Sequence, residues 1–296
     1  MPAPACAYDP LDLLTAPGGR GALRRDGSDL VAGDGRRFPI RDGIIEMLGP
    51  VSDALRVELA AQAAAEANYL DQRLFMTQYE RDVVTHVLSL LGDAEGPFLD
   101  PGCGIGLVGR HHGHLRLYGI DASRCLLRHA GPGYVVRVHC NVEELPFPDA
   151  SFGTILAVNM LHHVERPAAA VAEFARVLRP GGALVSADPR KVAAVERVKQ
   201  VLRRNDANYA PTHGAFGVRE YRDLLAGAHT FMVEHLECSG LTALLVGAGL
   251  DALNLHRVLP TTSMLTALRA LDRLIERSPA GRACGLNLYA RARRVR

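Results

Sequence analysis

The stretch Leu99-Asp100-Pro101-Gly102-Cys103-Gly104-Ile105-Gly106, a third of the way along a chain of 296 residues, decides the fold. An apolar run ends, three glycines follow at every second position, and helix-forming residues begin. Glycine lets a backbone turn sharply and approach a ligand closely. The helix beyond offers free N–H groups and the positive end of a dipole. Together these features mark a nucleotide-type site at the C-terminal edge of a parallel sheet. Asp121, 21 residues after Asp100, ends the next apolar run. A carboxylate there accepts hydrogen bonds from ribose hydroxyls; its structural use would be to cap the helix opening near Ser123.

Gly104-x-Gly106-x-x-Gly109 also fits the dinucleotide fingerprint, a weak match in a chain with 29 glycines. Asp100 argues against it, because an acid before the glycines would repel a pyrophosphate. The same acid suits a ligand with a cationic end.

Outward from this stretch, strands at 97–99, 115–120, 134–139, 152–158 and 183–187 alternate with helices reaching to about residue 112, then at 123–130 and 167–178. Further strands are expected at 230–237 and 286–292, and helices at 71–91, 193–204 and 218–226. Ser52 can cap a helix before these. The fold class is therefore α/β: a Rossmann-like, seven-stranded, mostly parallel sheet with helices on both faces. The first fifty residues differ, with eight glycines and six prolines. Phe38-Pro39-Ile40-Arg41-Asp42-Gly43-Ile44-Ile45 reads as strand, turn, strand.

Composition excludes several classes. At 48% hydrophobic and 22% charged residues, the chain is no disordered polymer, collagen or coiled-coil rod. Its apolar runs fall short of the roughly 20 residues a membrane span needs. Its first residues lack the basic head and apolar core of a secretion signal, so a cytoplasmic protein is expected. None of the six cysteines pairs at C-x-x-C spacing, and no metal is expected. Residues 1–188 carry 17 basic and 23 acidic side chains, and residues 189–296 carry 17 and 9. The basic C-terminal part reads first as a solvated, arginine-biased surface, and otherwise as a face for an anionic substrate or RNA.

The glycine stretch resembles the first motif of class I S-adenosylmethionine-dependent methyltransferases. Tyr118-Gly119-Ile120-Asp121-Ala122-Ser123 resembles their second-strand acidic motif. Residues 141–152, Asn159-Met160-Leu161-His162-His163-Val164 and Arg176-Val177-Leu178-Arg179-Pro180-Gly181-Gly182 follow at the family's spacing. The subgroup is that of ubiquinone, menaquinone and natural-product methyltransferases, and the likeness covers roughly residues 70–190. It implies S-adenosylmethionine as cofactor. Asp100, Gly102, Cys103, Gly104 and Gly106 would line its amino-acid portion and Asp121 would hold the ribose. Ala122, Asn141 and Val142 would flank the adenine, and Asn159 would face the methyl-transfer site. Three positions depart from the family: Asn141 and Gly153 where acids are usual, and Pro101 in place of a small or branched residue. Residues 14–19 and 35–44 resemble a small zinc-ribbon module that precedes some bacterial methyltransferases, here without its cysteines. The expected division is a metal-free β-rich appendage over 1–50, packed on the helix that follows, and a methyltransferase domain over 51–296 with helical lid elements in about 190–285.

Methyl transfer is an in-line displacement in which the protein mainly supplies proximity and orientation. A base is needed when the acceptor must lose a proton, and histidine suits neutral pH. His162 is the first candidate, with His163 and His213 behind it and His139 and His256 further off. The Asn/Asp-Pro-Pro-aromatic motif of exocyclic-amine methylation, a cysteine for cytosine C5 chemistry and arginine-rich segments with interleaved aromatics are all missing. Residues 209–217 read as a lid loop. Helices around 241–255 and 264–275 would wall an apolar pocket, extend the core or make a homodimer face. The expected function is methyl transfer to a small, lipophilic acceptor, free or carrier-bound, with oxygen favoured over carbon or nitrogen. The alternatives are an RNA methyltransferase, a protein using the cofactor as a scaffold (a cyclase, for instance) and, last, a nicotinamide oxidoreductase.

Overall fold

A computed structural model describes residues 9–18, 20–71, 75–111, 115–131, 133–193, 214–227, 229–242, 246 and 260–295. The centre of the sheet is β9 (Phe152–Val158), whose near-continuous apolar sequence is buried on both faces, as a parallel strand between helix layers must be. On one side it pairs in parallel with β6 (Phe98–Pro101), then come β7 (Leu117–Asp121) and β8 (Tyr134–His139). On the other side lie β10 (Leu178–Pro189), then β12 (Asn287–Arg294) and β11 (Phe231–Ser239), with β12 antiparallel to both neighbours. These seven strands run in the order β8-β7-β6-β9-β10-β12-β11. The strand order reverses between β6 and β9, so a crevice opens beyond their C-terminal ends.

The first fifty residues depart from expectation. β1 (Thr15–Ala16), β2 (Arg20–Asp26), β3 (Asp29–Ala32), β4 (Arg37–Arg41) and β5 (Ile44–Glu46) form, as the glycine-rich composition predicts. They dock on the sheet edge and not on the following helix. β5 pairs in parallel with β8 through Ile45↔Val138 and Glu46↔His139, making one sheet of twelve strands. An edge strand presents a row of unpaired N–H and C=O groups, and another strand satisfies all of them at once. Side chains fasten the joint: Glu46 accepts from Arg124 at 2.6 Å and pairs with His139 at 2.6 Å, and Arg137 donates to the Asp42 carbonyl at 3.0 Å.

Helices cover the faces. α1 (Asp53–Ala64) starts where Ser52 Oγ accepts from the Leu55 amide at 3.1 Å. α2 (Glu66–Leu70) follows, and α3 (Phe75–Ser89) falls within the helical stretch expected at 71–91. α4 (Leu107–His111) and α5 (Arg124–Leu127) are short. α6 (Pro167–Val177) opens on a proline at its first position, where no N–H is needed, and buries Ala170, Val171, Phe174 and Val177 at helical spacing. α7 (Val218–Ala226), α8 (Thr261–Ile275) and α9 (Pro279–Arg282) follow among the described residues. Met264, Leu265 and Leu268 of α8 pack on the cluster built around α3, while Leu271 and Leu274 stay exposed. Most of the expected helix at 193–204, the lid loop at 209–217 and the helix at 241–255 lies outside the described residues. No described helix is long and apolar enough to cross a membrane.

Candidate active site

β6 delivers the glycine loop to the crevice. Gly102, Gly104 and Gly106 all take positive φ, +68°, +49° and +81°, a region L-residues avoid. Each is glycine for a different reason. A Cβ at Gly102 would lie 2.7 Å from Met160 Cβ, and one at Gly106 2.9 Å from the Ala130 backbone. A Cβ at Gly104 would meet nothing within 4 Å: it would project into the cradle itself. Gly109, the last letter of the apparent dinucleotide fingerprint, serves packing. A Cβ there would strike the Tyr134 ring, as would one at Gly119. Those two glycines seat Tyr134 so that its hydroxyl donates to Asp100 at 2.6 Å.

Asp121 ties the loop to the next strand. One carboxylate oxygen accepts from the Gly104 amide and the other from the Ser123 amide, both at 2.7 Å. The capping use is thus present, and it is joined to a hold on the glycine loop. Burial raises the Asp121 pKa, and these two amides oppose the rise. Ala122 follows, its carbonyl accepting from His139 at 3.1 Å. His139, a remote candidate base, therefore links Glu46 to the wall on which adenine is expected. Asn141 Oδ1 accepts from the Glu143 amide at 3.0 Å, and the second lone pair of that oxygen can still accept. Val142 packs against the main core. At Gly153 a Cβ would run into the Glu95 carbonyl, which is why no acid stands there.

A pocket opens at the loop, lined by Tyr69, Glu80, Asp100, Gly102, Cys103 and Asn159 among others. Cys103 is buried with its thiol pushed up by desolvation, a packing residue and no nucleophile. Burial lifts Asp100 to about 7, against the Tyr134 hydrogen bond that pulls it down. Burial likewise lifts Glu80 to about 7. Asn159 is a non-glycine residue at φ +51°, and its Oδ1 is buried with no hydrogen-bond partner. A strained residue holding a bare acceptor over a pocket is the arrangement a donor ligand completes.

The next residues bring the histidines. His162 Nδ1 lies 2.8 Å from Asp188 Oδ1, which also accepts from the His162 amide at 3.1 Å. Tyr221 donates to Asp188 Oδ2 at 3.0 Å and reaches Ser186 at 2.8 Å. Asp188 is fully buried, and burial raises its pKa to about 7. The His163 ring lies tilted beside that of His162, centroids 3.9 Å apart, and meets the buried Glu58 at 2.9 Å. His213 and His256 lie outside the described residues. Asp188, Tyr221, Glu58 and Glu80 escaped the sequence reading. Two left signals: Asp188 is an acid at a strand's C-terminal end, and Glu80 falls on the same α3 face as the buried Val84 and Val87.

Comparisons with known proteins agree with this geometry. Residues 99–186 match the family described as methyltransferase domain. The chain is 40% identical over 74 residues to a 27-O-demethylrifamycin SV methyltransferase of Amycolatopsis mediterranei, covering 23% of this chain and 27% of that protein. It is 34% identical over 116 residues to a ubiquinone biosynthesis O-methyltransferase of Alkalilimnicola ehrlichii, covering 34% and 44%. The chain thus spans less than half the length of these curated relatives. Among solved structures, an S-adenosylmethionine-dependent methyltransferase of Thermotoga maritima superposes with a TM-score of 0.54 at 17% identity, over 81% of this chain and 99% of the other. Geranyl diphosphate C-methyltransferase of Streptomyces coelicolor gives 0.52 at 15% identity, over 74% and 80%. At such identities these two likenesses speak for the fold. The glycine loop, Asp121 and Asn159 all lie inside the segment that matches the methyltransferase domain.

Proposed function

We propose that the protein transfers a methyl group from S-adenosylmethionine to a small, lipophilic acceptor, with oxygen the favoured atom. The observation that carries this reading is the cradle at residues 100–104 and 159. Gly104 leaves open space where any side chain would intrude, Asp100 lies beneath, and the unpaired oxygen of Asn159 awaits a donor. The residues fit a ligand bearing an ammonium and a sulfonium. Asp100 and Asn159 would hold its amino-acid end, Asp121 its ribose, and Ala122, Asn141 and Val142 its adenine. When bound, the cofactor supplies an electrophilic methyl carbon. In this reading residues 1–50 are an appendage bracing the adenine side through Glu46 and His139, and residues 51–296 form the methyltransferase domain.

What the chain's own residues add is a base. Asp188 holds the His162 imidazole by Nδ1, which puts the basic lone pair on Nε2. Tyr221 and the His162 amide fix Asp188 in turn. Such a dyad removes a proton from a hydroxyl as its oxygen attacks, and the buried carboxylate stabilises the imidazolium that forms. His163, held by Glu58, is the neighbour that keeps the His162 ring in place. The support for an O-acceptor is this dyad together with the O-methyltransferases among the relatives.

Titration of S-adenosylmethionine into the protein by calorimetry tests the cofactor assignment. Micromolar binding that is lost in Asp121→Ala is expected. A folded wild-type protein that binds none overturns the reading.

A further inference from the structure

We propose that Glu80 makes the pocket prefer the positively charged methyl donor over its neutral, demethylated product, so that methyl transfer itself loosens the spent cofactor. This rests on the S-adenosylmethionine reading of the pocket. Glu80 stands on α3 one turn before Val84 and lines the pocket with Val84, Asp100 and Asn159. Among the described residues lining that pocket there is no lysine, arginine or histidine. It therefore offers two carboxyls and a bare amide oxygen, and no cationic side chain to balance the carboxyls. A carboxylate withdrawn from water without a cation is costly. A ligand that supplies one is bound more tightly by that amount.

The charge count then decides between donor and product. S-adenosylmethionine carries a sulfonium, an ammonium and a carboxylate, net +1. Transfer breaks the methyl carbon–sulfur bond, leaves its electron pair on sulfur, and gives the methyl to the acceptor, whose proton leaves to the base. The remaining thioether is a zwitterion of net zero. The pocket's two carboxyls then share one ammonium, and the excess negative charge is relieved by proton uptake from solvent.

The titratable groups facing Glu80 are Tyr69 of α2, Asp100 at the end of β6 and Cys103 in the loop. Burial pushes Tyr69 and Cys103 upward, so both stay neutral at pH 8. Asp100 and Glu80 are each lifted to about 7 and are the pair of this group that changes charge near neutrality.

Calorimetry with S-adenosylmethionine and S-adenosylhomocysteine, on the full chain at pH 6 and pH 8, tests this. In the wild type the preference for the methylated form rises about tenfold across that interval. Glu80→Gln lowers affinity for S-adenosylmethionine at pH 8 by about tenfold and leaves S-adenosylhomocysteine within about twofold. Thermal melting at pH 8 should place this variant at or above the wild type, because a buried carboxylate has been removed. Equal losses for both ligands in the variant, or a wild-type preference independent of pH, overturn the proposal for Glu80. Binding of neither ligand by the folded wild type overturns the cofactor assignment beneath it.

Discussion

Asp121 commits both carboxylate oxygens to backbone amides, one in the glycine loop and one beyond its own strand. Asp121→Ala frees two partly buried donors at once. We expect a loss of about 2–4 kcal/mol in stability together with loss of S-adenosylmethionine binding, measured by denaturant unfolding and calorimetry. Asp188→Asn separates chemistry from binding. The amide fills the same space but cannot stabilise an imidazolium, so kcat should fall roughly 10²–10⁴-fold while cofactor affinity stays within about twofold. The wild-type rate should rise with pH through about 7 as Asp188 loses its proton, and the variant should lose that dependence. A pH-resolved rate profile of both proteins decides this; equal rates would remove the dyad from the mechanism. Asp100, Asp121 and His162 were legible in the sequence because each adjoins a strand end within a recognisable motif. Asp188 was not. Its partner is 26 residues away, and only the pairing of β9 with β10 brings the two together.

At the level of elements, the loop between β6 and α4 has two glycines with similar backbone angles and different surroundings. Gly102→Ala meets Met160 at 2.7 Å and should cost about 2–4 kcal/mol. Gly104→Ala has open space and should cost only about 1–2 kcal/mol of backbone strain, yet its methyl enters the cradle. We therefore expect a folded Gly104→Ala protein with at least roughly tenfold weaker S-adenosylmethionine binding, read by calorimetry beside its melting temperature. Unchanged affinity would move the cofactor away from this loop. Alternation of apolar runs with helical stretches was enough to find β8, β9 and α7 to the residue, because each is bounded by glycine, proline or a charged turn. It underestimated β10, found at 178–189 where 183–187 was expected. The Arg179-Pro180-Gly181-Gly182 segment reads as a break, but here it is a register shift inside one strand. The docking of β5 on β8 left no local trace, since a free edge and a strand that fits it are properties of two distant segments.

For the whole molecule, three carboxyls partly or wholly withdrawn from water share one thermodynamic sign. Glu80, Asp100 and Asp188 are each raised to about 7 by burial, above their unfolded values. The stability they contribute is complete below the ordinary carboxylate range and is lost as pH rises through 7. Each costs about 1.4 kcal/mol per pH unit over which the folded form keeps a proton that the unfolded chain has lost. The ligand-free protein should accordingly melt at lower temperature at pH 7.5 than at pH 5.5, while the upward shift given by S-adenosylmethionine should grow over the same interval. Scanning fluorimetry with and without the cofactor measures both slopes, and a flat ligand-free curve would show that these groups stay ionised throughout. The joint between β5 and β8 also has a consequence for how the protein is made. Glu46 and His139 are 93 residues apart in the chain, so the first strands leave the ribosome without the edge they will occupy. At roughly 5–20 residues per second they wait on the order of 5–20 s for their template, longer by the time the exit tunnel takes to clear. Codon choice between these two points sets how long a glycine-rich, half-paired sheet stays exposed to chaperones before it can close.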